Sequence, residues 1–170
     1  MPQPQRRDPS RNRNREVIKR EFDQKVVEIK RVTRVVAGGK RMRFRALVVI
    51  GDHKGKVGIG LRKGVDVAEA VNKAVNAAKK NMVTVPLEND TIPHEVKFKY
   101  NSSKIILLPA APGTGIIAGG ALRSIIELAG IKNILSKMVG SSNKVNNIKA
   151  VFAAFKTMKS KRELRERLKA

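Results

Sequence analysis

Cysteine is absent from the 170 residues, which removes disulfides, thiolate zinc sites and cysteine nucleophiles together. Tryptophan is absent too, and one Tyr with five Phe leaves aromatics at 4%. That argues against the stacking platforms that read the bases of single strands. The two histidines, His53 and His94, are far apart and neither lies near a serine nucleophile motif, so neither a metal site nor a catalytic triad is expected. Acid is scarce, with 14 Asp and Glu against 37 Lys and Arg. Glu88, Asp90 and Glu95 cluster without metal-ligand spacing, so the catalytic and metal assignments are both empty. Long apolar runs are also missing. The nearest is Ile105 to Leu122, 18 residues without a charge, and it holds Pro109, Pro112, Gly113, Gly115, Gly119 and Gly120. Those six would break a lipid-exposed helix, so no membrane span is expected.

What is present is positive charge on a chain apolar enough to fold: +23 formal, with 41% hydrophobic residues. A compact body so charged repels itself unless a polyanion neutralises it, which points to nucleic acid or an anionic membrane surface. The first twenty residues are polar throughout and lack an apolar signal segment; Asp8, Glu16 and few serines weaken a transit-peptide reading, so cytoplasmic residence is expected. The charge is uneven. Residues 25 to 63 carry twelve basic and two acidic side chains, whereas 64 to 100 carry five of each.

Period-two alternation predicts strands over 25–36, 42–50 and 56–63, joined by Gly38-Gly39 and by Gly51 to Gly55, as a three-stranded antiparallel meander. In the third, Gly58 and Gly60 alternate with Val57, Ile59 and Leu61. Asp66 with Glu69 reads as a capping box opening a helix with Val67, Val71, Ala74, Val75 and Ala78 inward and Lys79 and Lys80 in its last turn. Pro86, Asn89 and Asp90 suggest a boundary. Beyond it, strands are expected over 91–99 and 104–110, then a Gly-rich loop running into a helix that ends at Gly130, a strand over 132–139, and a helix with Val145, Ile148, Val151, Phe152, Phe155 and Met158 on one stripe. The expected domains are 21–85 and 91–159, flanked by a basic disordered arm over 1–20 and a charged tail over 160–170, with Ser160 and Glu163 as a possible cap. The fold class is α+β.

Gly113-Thr-Gly115-Ile-Ile-Ala118 has the GxGxxA form of a dinucleotide fingerprint between a strand and a helix. Its ribose-binding acid is missing, because no carboxylate occurs between Glu127 and Glu163. The loop also resembles the phosphate loop of small-molecule kinases of the galactokinase and homoserine kinase type, again without partner residues. The better reading is a backbone that needs close approach or positive φ, and no cofactor is assigned.

The strongest constellation is cationic: Arg31, Arg34, Lys40, Arg41, Arg43, Arg45, Lys54, Lys56, Arg62 and Lys63 on and around the small sheet. Guanidinium and ammonium groups at strand ends and turns suit phosphates, and Gly38, Gly39 and Gly55 let backbone N–H groups approach a polymer. Shape and phosphate recognition of structured RNA fits, and composition leaves DNA open.

The runs RVVAGGKRMRFRALVVIGDHKGKVGIGLRKGVDVAEAVNKAVNAAKKNM and PAAPGTGIIAGGALRSIIELAGIKNILSKMVGSSNKVNNIKA closely resemble the family of bacterial small-subunit ribosomal protein S five. The ordered set GDHKGKVGIG, AAKKNM, GTGIIAGGA and GSSN is far more specific than any one motif. The resemblance implies an N-terminal sheet plus helix similar to double-stranded-RNA-binding folds and a C-terminal two-layer βαβα-type domain. It further implies a non-enzymatic protein that binds small-subunit ribosomal RNA, touches ribosomal proteins S four and S eight, and supports subunit assembly and decoding accuracy near the messenger RNA entry path. Thr33, Arg34, Val36, Gly38, Gly39 and Lys40 match the family's RNA-contacting loop, which is linked to spectinomycin response; Ala37 stands where a lysine is common. Gly115 and Arg123 match positions near the S four interface. Two other readings stay open, a free RNA or DNA chaperone and a relic of a nucleotide-dependent kinase.

Overall fold

The computed structural model describes residues 21–160. The expected arm over 1–20 and nearly all of the tail, with Glu163, lie outside the described residues. β1 (Asp23–Val36), β2 (Gly39–Gly51) and β3 (Lys56–Gly64) form the expected antiparallel meander, and α1 (Val67–Lys80) follows. A short fourth strand, β4 (Met82–Thr84), then pairs with β3, giving the order β1-β2-β3-β4. The meander is thus four-stranded rather than three-stranded. Three residues are too few for periodicity to reveal; the ladder supplied by Lys56 to Gly58 makes them a strand.

α1 lies on one face of this sheet, over Ala46, Val48 and Ile50. The contact is closest along β3, where glycines face the alanines of the helix. Gly58, Gly60 and Gly64 of β3 meet the backbone of α1 around Ala78, Ala74 and Ala70, so helix and strand meet main chain to main chain. The alternating glycines of the third strand mark this contact. At the helix start the Asp66 carboxylate accepts from Val67 N–H at 2.7 Å and Glu69 from Val65 N–H at 2.6 Å. The capping pair is therefore real but reaches different amides from those of the usual box.

The second half holds β5 (Val96–Tyr100), β6 (Ser103–Pro109), β7 (Ile116–Ile117), α2 (Gly120–Ala129), β8 (Ile134–Val139) and α3 (Lys144–Thr157), with sheet order β5-β6-β8-β7. Three expectations shift. The strand expected from Thr91 begins at Val96, since Thr91 forms only a bridge with Glu88 and Pro93 follows. His94 accordingly sits before the strand rather than in it. The strand expected from Lys132 begins at Ile134, because the amides of Lys132 and Asn133 both donate to the Asp90 carbonyl. Within the Gly-rich loop, Ile116 and Ile117 pair in parallel with β8, an arrangement without a local sequence signature.

α2 ends as expected at Gly130, in the left-handed region at φ 84. All six residues of the expected apolar stripe are buried, five on α3 and the sixth, Met158, just past its end. The halves share one core. Leu47, Val49, Val57 and Val85, on or beside the sheet face opposite α1, join Ile92, Leu107, Ile125, Leu128, Ile134, Val151 and Phe155. Backbone groups join there as well: His53 N–H donates to Leu128 O at 3.1 Å and Gly55 N–H to Ala129 O at 2.9 Å. The turn between β2 and β3 therefore caps the last carbonyls of α2. Val85, at the expected boundary, is buried and donates to Gly55 O at 2.7 Å.

Candidate nucleic-acid interface

β1 and β2 run past the core as a two-stranded hairpin closed at Ala37-Gly38, with Gly38 at φ 81. Opposed residues of an antiparallel pair share a face, so the register sorts the cations. On the face opposite α1, Lys30 stands across from Arg45, Val32 from Arg43 and Arg34 from Arg41, while Lys63 of β3 stands beside Arg45. This is the face that, farther along the same strands, buries Leu47 and Val49. One surface of the sheet thus has an apolar inner half and a cationic outer half. Val32, Thr33, Arg34, Arg41, Arg43 and Lys63 line a depression of about 270 Å³ there. Glu28 is the carboxylate that pairs with this outer half, 3.3 Å from Lys30 and 4.0 Å from Arg45, whereas Asp23 lies at the inner end of the same face, paired with His53. Arg34, Arg41, Arg43 and Lys63 make no ion pair among the described residues.

Not every predicted cation joins this surface. Arg31 pairs with Phe44 on the α1 side and Arg62 opposes Ala46 there, while Thr33, whose register partner Met42 faces α1, still borders the depression. Lys40, Gly38 and Gly39 form the tip, exposed and with open space where a Cβ would stand on either glycine. Lys54, in the turn that meets α2, and Lys56, the first residue of β3, lie at the other end of the strands, where their amides donate to the Asp52 carboxylate at 2.8 and 2.9 Å. A 13-residue strand separates the two ends by roughly 40 Å. Sequence reasoning grouped ten cations that the register divides between two faces and two ends.

Gly115 and Arg123 come together on the second half. Gly115 takes φ 74 just before Ile116, whose carbonyl accepts from Arg123 Nη2 at 3.0 Å. Arg123 is exposed and lines an open groove with His53, Ile116, Glu127 and Lys132. Asn133 was missed by the sequence reading. Its buried side-chain oxygen accepts from Gly113 N–H and Gly115 N–H, both at 3.1 Å. The amides that a phosphate-cradling loop would turn toward a nucleotide are here engaged by the protein itself. Nothing in the local sequence marks Asn133, because the pairing depends on β8 lying under the loop. Among the described residues no cluster of three or more metal-ligating side chains occurs, and no helix is long and apolar enough to cross a membrane.

Two packed α+β halves thus carry a cationic outer sheet face with a glycine-tipped hairpin, a surface whose charge suits a polyanion. The family profile "Ribosomal protein S5, N-terminal domain" matches residues 22–86, and "Ribosomal protein S5, C-terminal domain" matches 98–168. The small ribosomal subunit protein uS5 of Chloroflexus aurantiacus is 50% identical over 147 residues, 86% of this chain and 83% of that protein. The uS5 protein of Thermotoga maritima is 47% identical over 150 residues, 88% and 84% of the two chains. The uS5c protein of Spinacia oleracea is 49% identical over 146 residues, 85% of this chain and 47% of its own. The chain belongs to the ribosomal protein S5 family.

Proposed function

We propose that this chain is a structural, non-enzymatic protein of the small ribosomal subunit, working in the cytoplasm, that binds small-subunit ribosomal RNA through the outer face and tip of the β1–β2 hairpin. The carrying observation is the set Arg34, Arg41, Arg43, Arg45 and Lys63 on one sheet face beyond the core, with Glu28 the one carboxylate beside it among the described residues. Family membership and the names of the relatives support the same reading. Arginine on a flat sheet meets phosphates with paired donors, and the scarcity of aromatics favours contact with the shape and backbone of folded RNA over reading of splayed bases. Arg31, Thr33, Arg62, Lys54 and Lys56 serve as flanking contacts on the other face and at the far end.

The groove beside Gly115 and Arg123 is, in this proposal, the contact for ribosomal protein S four, with S eight a further neighbour. Support for assembly and decoding accuracy near the messenger RNA entry path completes the reading. Arg123 presents a guanidinium held in place by Ile116 O and otherwise open to a partner.

Sedimentation of the tagged protein at stoichiometric expression tests the reading. Co-migration with small subunits and whole ribosomes at high salt is the expected result; confinement to the free fraction would refute it in favour of a free RNA chaperone. In binding assays, Arg41→Ala with Arg43→Ala weakens association with small-subunit RNA and lowers the salt slope by about 0.7–0.9 for each phosphate no longer neutralised.

A further inference from the structure

A second cationic surface lies where the halves meet. Leu47, Ile59, Gly60, Leu61 and Arg62 from the first sheet, Ala77 and Asn81 from α1 and its cap, and Lys149, Phe152 and Lys156 from α3 surround a cleft of about 430 Å³. It exists because β4 is short. Its ladder covers only Lys56 to Gly58, so from Ile59 to Gly64 the outer edge of β3 has no strand beside it. Its backbone groups there lack the partner a full-length neighbour would give.

Three cations stand round this opening and no carboxylate lines it among the described residues. Lys149 and Lys156 are seven residues apart, two helical turns or about 10 Å on one side of α3. Phe152 lies between them. Lys156 Nζ sits 5.1 Å from the Phe152 ring centre, and Lys149 Nζ lies 6.0 Å from that of Tyr100. These rings steady the ammonium groups without neutralising them. None of Arg62, Lys149 and Lys156 has an ion-pair partner among the described residues.

The cleft is also continuous with the hairpin surface. Leu47 in its floor is two residues from Arg45 on the same face of β2, and Leu61 is two residues from Lys63 on the same face of β3. A single polyanion leaving Arg41 and Arg43 therefore reaches Lys149 and Lys156 past Arg45 and Lys63, with Arg62, whose register places it on the α1 side, bordering the cleft at the open β3 edge. The chain's own termini are unsuitable occupants: residues 1–20 carry seven basic side chains against two acidic, and 160–170 carry five against two.

We propose that this cleft is a second phosphate-binding subsite, taking the sugar–phosphate backbone of an RNA strand that continues from the hairpin. Arg62, Lys149 and Lys156 hold the phosphates, and Ile59, Leu61 and Phe152 pack against the sugar. The proposal rests on the RNA reading above. An acidic extended peptide added to the open β3 edge is the competing occupant; continuity with the hairpin cations favours RNA.

The test measures affinity of the full-length protein for a transcribed small-subunit RNA fragment over a salt series, for wild type, Arg41→Ala/Arg43→Ala, and Lys149→Gln/Lys156→Gln. Glutamine keeps most of the stem against the rings, and urea unfolding checks that each variant is folded. The expected result is that the glutamine pair lowers the slope of log affinity against log salt by about 1.4–1.8, for two phosphates at 0.7–0.9 each, additively with the hairpin pair. An unchanged slope in the glutamine pair alongside a lowered one in the hairpin pair overturns the cleft subsite while leaving the RNA reading intact. A flat salt response in the wild type defeats both. Unchanged RNA binding with abolished binding of a poly-glutamate probe assigns the cleft to a protein and also overturns the proposal.

Discussion

Replacing Gly60 by alanine tests the account of how α1 is held. A Cβ built there would lie 1.9 Å from Ala74 O, 2.8 Å from Ala74 C and 3.0 Å from Ala78 N. All three are backbone atoms, so no rotamer change relieves the clash, and α1 must lift by more than 1 Å to restore an ordinary contact of roughly 3.2 Å or more. Lifting it loosens the packing of Ala70, Ala74 and Ala78 over Ala46, Val48 and Ile50. Overpacking of this kind costs about 1–3 kcal/mol, and the main-chain contact places Gly60→Ala at the upper end, about 3 kcal/mol. For a domain of this size that lowers Tm by roughly 6–12 °C. Gly39→Ala is the matched control: its Cβ would meet nothing within 4 Å and its φ lies outside the left-handed range, so the change stays within about 0.5 kcal/mol of wild type. Urea unfolding with unchanged m-value reads both. A Gly60→Ala protein as stable as the control would show that helix and sheet are not in main-chain contact.

Asn133→Ala removes the acceptor shared by the Gly113 and Gly115 amides, so those two amides exchange faster while the β6 amides do not; equal protection would contradict the pinning role. Asn147→Ala leaves the buried Ser103 hydroxyl without its acceptor and frees Ser141 O from a 3.1 Å bond; the expected loss is about 1–3 kcal/mol by denaturant unfolding. Glu69 titrates below its ordinary value of 4.5, first because Lys73 donates to it and then because Val65 N–H does. Its folded-state pKa being depressed, its stabilisation is full above the unfolded-state value and is lost as pH falls through the folded one. The stability gap between wild type and Glu69→Gln therefore narrows in acid, and an NMR titration of the carboxylate reads the shift directly.

Elements with a strong period were legible in the sequence. β2 alternates over Met42 to Ala46 and turns apolar on both faces from Leu47 to Ile50, where α1 covers one and the second half covers the other, and the α3 stripe repeats because those positions face the shared core. What escaped was set by partners distant in the chain. β4 and β7 have three and two residues, and each is a strand only through its neighbour. The cation-rich composition of residues 25 to 63 was plain, but composition carries no direction; only the registers of β1 and β3 against β2 separate Arg34, Arg41 and Arg43 from Arg31 and Arg62. The Gly-rich loop looked like a phosphate cradle because its glycines and positive φ angles meet the same steric need. Asn133, eighteen residues beyond Gly115, changes what its amides do.

β2 runs from the hairpin tip to Gly51, where a Cβ would stand 2.0 Å from Leu128 O of α2. A load applied at Gly39 therefore travels along one length of covalent chain, flanked by β1 alone as far as Arg43 and by both β1 and β3 from Phe44, to the seat of the helix that carries Arg123. The protein behaves mechanically as a beam with a grip at each end. A ligand held at the tip and a partner held at the far groove would therefore be tied to one another through the length of β2 without touching.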